Sequence, residues 1–164
     1  MENNIKAFTP QATISVPRVS QVAFSADENY LVICAESGGG LAVYDVQAML
    51  QGNKDSAFQL ATNGVAVRAL APNPAQESAH FFSIVLVNGQ LLLANLKDRQ
   101  LVNGPNGPIL KEGVSCVSWS ARGKQLVAGL GNGTAFQMTP EGVGKAEIPR
   151  PPQLQGDQHG KWYS

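Results

Sequence analysis

Three glycines, Gly129, Gly131 and Gly133 in VAGLGNGTA, are the residues of this chain that come nearest to a cofactor-binding motif. A dinucleotide-binding turn uses such glycines to bring backbone close to a pyrophosphate, which then rests on the N-terminus of the helix that follows. Here the following residues are Thr134-Ala135-Phe136-Gln137-Met138, soon broken by Pro140 and Gly142, and they read as a strand. The third-glycine spacing of the full motif is missing as well. The expected element is a hairpin, with no cofactor.

Other chemistry-bearing residues fare no better. His80 and the many serines could be drawn into a Ser/His/Asp triad on paper, but His80 follows Pro72-Asn73-Pro74 and reads as an exposed loop residue. Cys34 and Cys116 are the only cysteines, each isolated in an apolar strand, so both are expected to be small buried hydrophobes in a reducing compartment. A metal site would need closer grouping with histidine, and neither His80 nor His159 is near either thiol in sequence. Neither a G-x-S-x-G elbow nor a P-loop occurs. The aromatics Phe24 and Trp119 lack the basic interleaving that base stacking requires and read as packing residues. Lys97 and Arg99 around Asp98, and Arg122 and Lys124, read as solvated loop charges. No catalytic, cofactor or metal residues are assigned, the binding residues are left unknown, and the chain is not expected to be an enzyme.

The elements around these residues repeat. Val22–Val46 (VAFSADENYLVICAESGGGLAVYDV) and Val114 onward (VSCVSWSARGKQLVAGLGNGTAFQM) share one order: a strand ending in an aromatic and Ser, a polar turn, an apolar strand, a Gly-rich turn and another strand. A degraded copy lies between them, starting at Val67-Arg68-Ala69-Leu70, with Leu70 taken as the match to Phe24 and Trp119. That places the units close to the 40–50 residues of a propeller blade. Tyr30–Ala35, Phe81–Val87 and Gln125–Leu130 are expected as strands buried on both faces. Third strands follow Gly38-Gly39-Gly40, Asn88-Gly89 and Asn132-Gly133, which suit primed hairpin turns with positive φ at both positions. Phe58–Thr62, Ile109–Lys111 and Ala146–Pro149 are candidates for outer fourth strands. Asp45–Gly52 is expected as one helical turn with Asp45 as N-cap. The fold class is therefore all-β, an incomplete β-propeller of WD40-like or YVTN-like blades. About three four-stranded blades are expected, near 20–64, 65–112 and 113–152 within a domain spanning 1–156.

The 164 residues suit one domain, and 43% hydrophobic content can fill its core. Twelve basic and twelve acidic residues leave no net charge, hence no footprint for non-specific nucleic-acid binding. MENNIKAFTPQ does not read as a signal peptide, and no segment approaches the ~18 apolar residues of a membrane span. The expectation is a soluble intracellular protein without membrane insertion.

Trp119-Ser120, Gly123-Lys124-Gln125-Leu126, Asn132-Gly133-Thr134 and Ile148-Pro149-Arg150-Pro151-Pro152 occur in the order found in one family. In these motifs the chain resembles the third blade of the N-terminal propeller of the cytoplasmic-face FG-nucleoporins, known in fungi and animals, that dock the DEAD-box helicase of mRNA export. The Val22–Val46 stretch is similar to that family's first full blade. The Gly-His and Trp-Asp pairs of ordinary WD repeats are missing, with Tyr44-Asp45 the nearest echo. The resemblance, over roughly Ser20 to Gly156, implies a nuclear-pore scaffold or docking module on the cytoplasmic face of the pore, at the nuclear envelope. Its implied partners are the DEAD-box RNA helicase and other nucleoporins. Helicase-facing loops lie in later blades of that family, so no contact residue is carried over.

Three blades fall short of the about four to eight that close a ring, and leave open edges that invite association. The chain alone is thus expected to be poorly soluble. Residues 157–164 form an atypical tail. Gly160-Lys161-Trp162 can be encoded across an intron start, so the tail reads as intron-derived and the chain as an N-terminal fragment. The alternative is a generic WD-like adaptor that oligomerises to complete its ring.

Overall fold

The computed structural model describes residues 9–150. The tail 157–164 lies outside them. Within this span the chain makes three antiparallel sheets of four strands, each built in sequence order from one edge to the other. Blade 1 holds β1 (Val19–Phe24), β2 (Tyr30–Ala35), β3 (Leu41–Asp45) and β4 (Phe58–Leu60). Blade 2 holds β5 (Val67–Pro72), β6 (Phe81–Leu86), β7 (Leu91–Asn95) and β8 (Gln100–Leu101), and blade 3 holds β9 (Val114–Trp119), β10 (Leu126–Leu130), β11 (Ala135–Met138) and β12 (Gly144–Ile148). A meander of this kind leaves two apolar faces per sheet, and stacking sheets face to face is what buries them.

Two stacks are formed. Val32, Cys34, Leu41, Val43 and Leu60 of blade 1 pack on Phe82, Ile84, Leu92 and Ala94 of blade 2. The opposite face of blade 2, through Val85, Leu91 and Leu93, packs on Val114, Leu126, Ala128 and Met138 of blade 3. Every residue of β6 is buried because blade 2 is covered on both sides. In β10, by contrast, Leu126 and Ala128 are buried while Val127 and Gly129 are only half-buried, since the outer face of blade 3 has no blade against it among the described residues. A third cluster, Leu31, Ile33 and Tyr44, lies on the free face of blade 1 and is covered by Ile14, Val16, Val46 and Met49.

Strand ends set the blade equivalences. Ser25, Asn73 and Ser120 each donate their N–H to the carbonyl that opens the second strand, at Tyr30, Phe81 and Gln125. The last residues of the first strands are therefore Phe24, Pro72 and Trp119, and the middle match is Pro72 rather than Leu70. All three first strands carry a bulge at their start, at Val19/Gln21, Val67/Ala69 and near Val114, and only the middle one ends in Pro-Asn instead of an aromatic and Ser, which hides its register from the sequence.

The hairpins also differ from expectation. Gly89 and Gly133 have φ 85° and 87°, while Asn88 and Asn132 are not at positive φ. Leu86 and Leu130 donate to Gln90 and Thr134, and the glycine N–H returns to the leucine carbonyl. These are three-residue loops ending in a glycine bulge, not primed two-residue turns. The asparagine side chain accepts from the N–H two residues on, at 3.2 Å from Gln90 and 3.0 Å from Thr134. Ile109–Lys111 is no fourth strand: β8 takes that place, and Leu110 and Lys111 instead exchange hydrogen bonds with Leu91. α1 (Val46–Leu50) is capped as expected, with Asp45 Oδ1 accepting from Ala48 N at 3.0 Å and Gly52 at φ 100° behind it.

Gly123 marks the tightest seam between blades. It sits at φ 66°, and a Cβ there would collide with the Asn73 amide and come within 2.7 Å of Ala75 Cβ. Gly38, at φ 82°, has open space around it. In urea melts Gly123→Ala is expected to remove at least about 3 kcal/mol, and Gly38→Ala only about 1 kcal/mol. Equal losses would show that the seam is not close-packed.

Candidate functional site

The glycine trio is dispersed by the hairpin. Gly129 lies in β10 opposite Cys116, and Gly131 and Gly133 form the turn that feeds β11. A Cβ on Gly129 would approach Cys116 Sγ to 2.7 Å, so this glycine serves strand packing. No helix follows to receive a phosphate.

His80 is half-buried rather than exposed, its ring 4.3 Å from that of Phe81. Desolvation and the Lys97 ammonium hold its imidazole below the ordinary value, against the pull of Asp98, Asp27 and Glu141. Its backbone carbonyl accepts from Leu96 N at 2.8 Å, which pins the loop to the end of β7. Among the described residues no three His, Cys, Asp or Glu groups come together as a metal site. No helix of theirs is long and apolar enough to cross a membrane.

The cysteines part company. Cys34 is fully buried and its thiol is pushed up to about 12 by burial alone. Cys116 is exposed on the outer face of blade 3, because β9 points Val117 and Trp119 at blade 2 and Cys116 away from it. Trp119 is a packing residue as expected, and its indole N–H donates to Ala71 O of blade 2 at 3.1 Å. Phe24 occupies the equivalent place in blade 1 but is 53% exposed, together with Val22 at 59%. Lys97, Arg99, Arg122 and Lys124 are exposed, as loop charges should be. Arg99 also lies over the Phe58 ring, 5.1 Å from its centroid.

What remains are interaction surfaces. Polar side chains stitch the blades to one another: Arg68 Nη2 donates to Val114 O and Ser115 O at 2.9 Å each, Asn73 Nδ2 to Gly123 O at 2.8 Å and Gln76 Nε2 to Ala26 O at 2.8 Å. Loops at the strand ends are held by short local bonds, as where Asp27 accepts from Ser25 Oγ at 2.6 Å and from Asn29 Nδ2 at 2.9 Å. Desolvation opposes ionisation of Asp27, yet these bonds outweigh it and keep the carboxyl below its ordinary value. Three stacked four-stranded meanders with loops at their strand ends are blades of the β-propeller class.

Comparison with known proteins specifies the class. The profile described as the NUP159/214 beta propeller matches residues 1–162, and the chain belongs to that nucleoporin family, which is a structural and not an enzymatic one. It is 57% identical over 159 residues to nucleoporin NUP159 of Chaetomium thermophilum, an overlap of 96% of this chain and 11% of that protein. It is 32% identical over 149 residues to nucleoporin nup146 of Schizosaccharomyces pombe, covering 87% of this chain and 10% of the relative. The chain thus spans about a tenth of the length of these curated relatives.

The contrast between the two thiols is directly measurable. In the native chain an aromatic disulfide reagent is expected to label Cys116 within seconds to minutes and to reach Cys34 only after denaturant is added. Two fast thiols in the native protein would contradict the stacking of blade 1 on blade 2.

Proposed function

We propose that this chain is part of a docking module of the nuclear pore that recruits a DEAD-box RNA helicase of mRNA export to the cytoplasmic face of the pore. Membership of the NUP159/214 propeller family across residues 1–162 carries the reading. The physical character of the domain agrees with it. Zero net charge argues against backbone-driven nucleic-acid binding. Stacked blades hold their loops in fixed positions, and protein docking depends on such complementarity more than on bulk charge. The longer nucleoporin and its neighbours at the pore are the expected context.

The exposed Phe24 and Val22, with the half-buried outer face of blade 3, against which no blade packs among the described residues, favour a second reading in which copies of the chain complete a ring together. Titration calorimetry and light scattering separate the two. The longest product of the gene is expected to bind the helicase saturably and equimolarly, with the 164-residue chain alone binding more weakly. A defined dimer of this chain that leaves the helicase unbound in both forms would favour the adaptor instead.

A further inference from the structure

Asparagine followed by glycine occurs five times in this chain, at Asn63-Gly64, Asn88-Gly89, Asn103-Gly104, Asn106-Gly107 and Asn132-Gly133. Such a step carries its own chemistry. With no Cβ on the glycine to obstruct the approach, its backbone nitrogen can attack the amide carbon of the asparagine side chain. In a folded chain the reaction depends on whether that nitrogen and that side chain are free to meet. At four of the steps they are tied. Gly89 N and Gly133 N donate to Leu86 O and Leu130 O at 2.9 and 3.1 Å, and Asn88 and Asn132 also accept from Gln90 N and Thr134 N. Gly104 N and Gly107 N donate to one another's carbonyl, at 2.8 and 3.2 Å.

Asn63-Gly64 differs in each respect. Neither the Gly64 N–H nor the Asn63 side chain has a hydrogen-bond partner among the described residues. Both residues are exposed, and nothing lies within 4 Å of where a Gly64 Cβ would stand. At Gly104, by comparison, a Cβ would come within 2.9 Å of Leu110 Cδ2. Asn63 and Gly64 have φ 54° and 75°, and Val65 N donates to Thr62 O at 3.0 Å. This is a primed Asn-Gly turn, and it joins blade 1 to blade 2 instead of two strands of one blade. The bond from Val65 to Thr62 spans the turn without using any atom of Asn63 or Gly64, so the two reacting groups are held by the chain on either side of them alone.

We propose that Asn63 is a site of spontaneous covalent modification, deamidating through a cyclic imide ahead of the other four steps. Gly64 N bonds to Asn63 Cγ and gives up its proton, while the Cγ–Nδ2 bond breaks and Nδ2 leaves with that proton as ammonia. Water then opens the imide at one of its two carbonyls, leaving either an ordinary aspartyl or an isoaspartyl linkage. Nothing is oxidised or reduced, and water is the one co-reactant. Either product adds a negative charge to a chain that has none in net. The isoaspartyl product also adds a carbon to the main chain between Thr62 and Val65. That turn belongs to a tight joint: Thr62 Oγ1 donates to Val65 O and accepts from Gly40 N, at 2.6 Å each, and a Cβ on Gly39 would stand 2.5 Å from both Thr62 Oγ1 and Val65 O. A lengthened turn strains both bonds and loosens the link between the first two blades. The proposal concerns this turn and not helicase docking, so either can fail without the other.

Peptide mapping by mass spectrometry, during incubation in mildly alkaline buffer, tests it on this chain and on the longest product of the gene. The peptide carrying Asn63 is expected to change from amide to acid, with isoaspartyl in the mixture, roughly tenfold or more faster than the other four, whose hydrogen bonds must break first. In denaturant the five rates are expected to draw together, because the glycine neighbour is then all that matters. Faster change at any other Asn-Gly step of the native protein, or equal rates at all five, would overturn the proposal. So would an Asn63 that survives intact while the denatured chain reacts. Asn63→Asp carries the charge without the extra carbon, and is expected to keep the Tm that the isoaspartyl fraction loses. An isoaspartyl fraction that melts with the unmodified protein would show that the joint does not depend on this turn.

Discussion

Face-to-face stacking of sheets is the constraint from which the rest of this structure follows. A four-stranded meander of this length cannot bury its own apolar faces, so each blade depends on its neighbours. Blade 2 has both faces covered and contributes the fully buried Phe82, Ile84, Val85, Leu91 and Leu93. Fully burying side chains of this size contributes roughly 1.5–3 kcal/mol each before chain entropy is counted. The outer blades retain half-exposed faces, and their sequences show it: β10 and β11 carry Gly129, Ala135 and Gln137 where β6 and β7 carry Val85, Leu91 and Leu93.

Apolar stacking alone would let sheets slide, and the polar stitches prevent that. Trp119, Asn73, Arg68 and Gln76 each donate a side-chain N–H to a backbone carbonyl of the adjacent blade. Carbonyls at sheet margins are fixed in space, so each bond sets register as well as angle. The Asn73 bond is the most demanding, because the residue is fully buried and its amide fits only where Gly123 lacks a Cβ. Asn73 lies in the degraded middle repeat. In place of the aromatic-Ser pair that repeat has a Pro-Asn corner, which reaches across to the Ser120 turn.

That substitution explains where the sequence was readable and where it was not. Strand cores such as Tyr30–Ala35 and Phe81–Leu86 were legible because continuous apolar β-formers have one physical use. The Asp45 cap and Gly52 were legible for a similar reason, since the chemistry of a helix end is local. Register was not. The middle repeat ends its first strand in Pro72-Asn73 where the others have Phe24-Ser25 and Trp119-Ser120, so Leu70 looked equivalent where Pro72 is. Cys116 looked buried because its neighbours are apolar, whereas the direction of its side chain depends on which face of blade 3 meets blade 2. The roles of Asn73 and of Ile14 and Val16 lie in contacts between distant segments, and no local pattern announces those.

The same constraint bears on why the described residues hold no cluster of catalytic groups. Positions that face between blades are committed to packing or stitching, and a charged nucleophile or base there would stay buried without a partner. Glycines that look like a phosphate cradle are needed for close approach, as Gly129 is to Cys116 and Gly39 is to Thr62, whose Oγ1 would lie 2.5 Å from an added Cβ. Variation is left to the loops at the strand ends, where Asp27, Asn88 and Asn132 satisfy their own backbone and leave the outward side chains free to change. A scaffold organised in this way gains specificity by altering loops and gains extent by adding blades, and both favour recognition of a protein partner over catalysis.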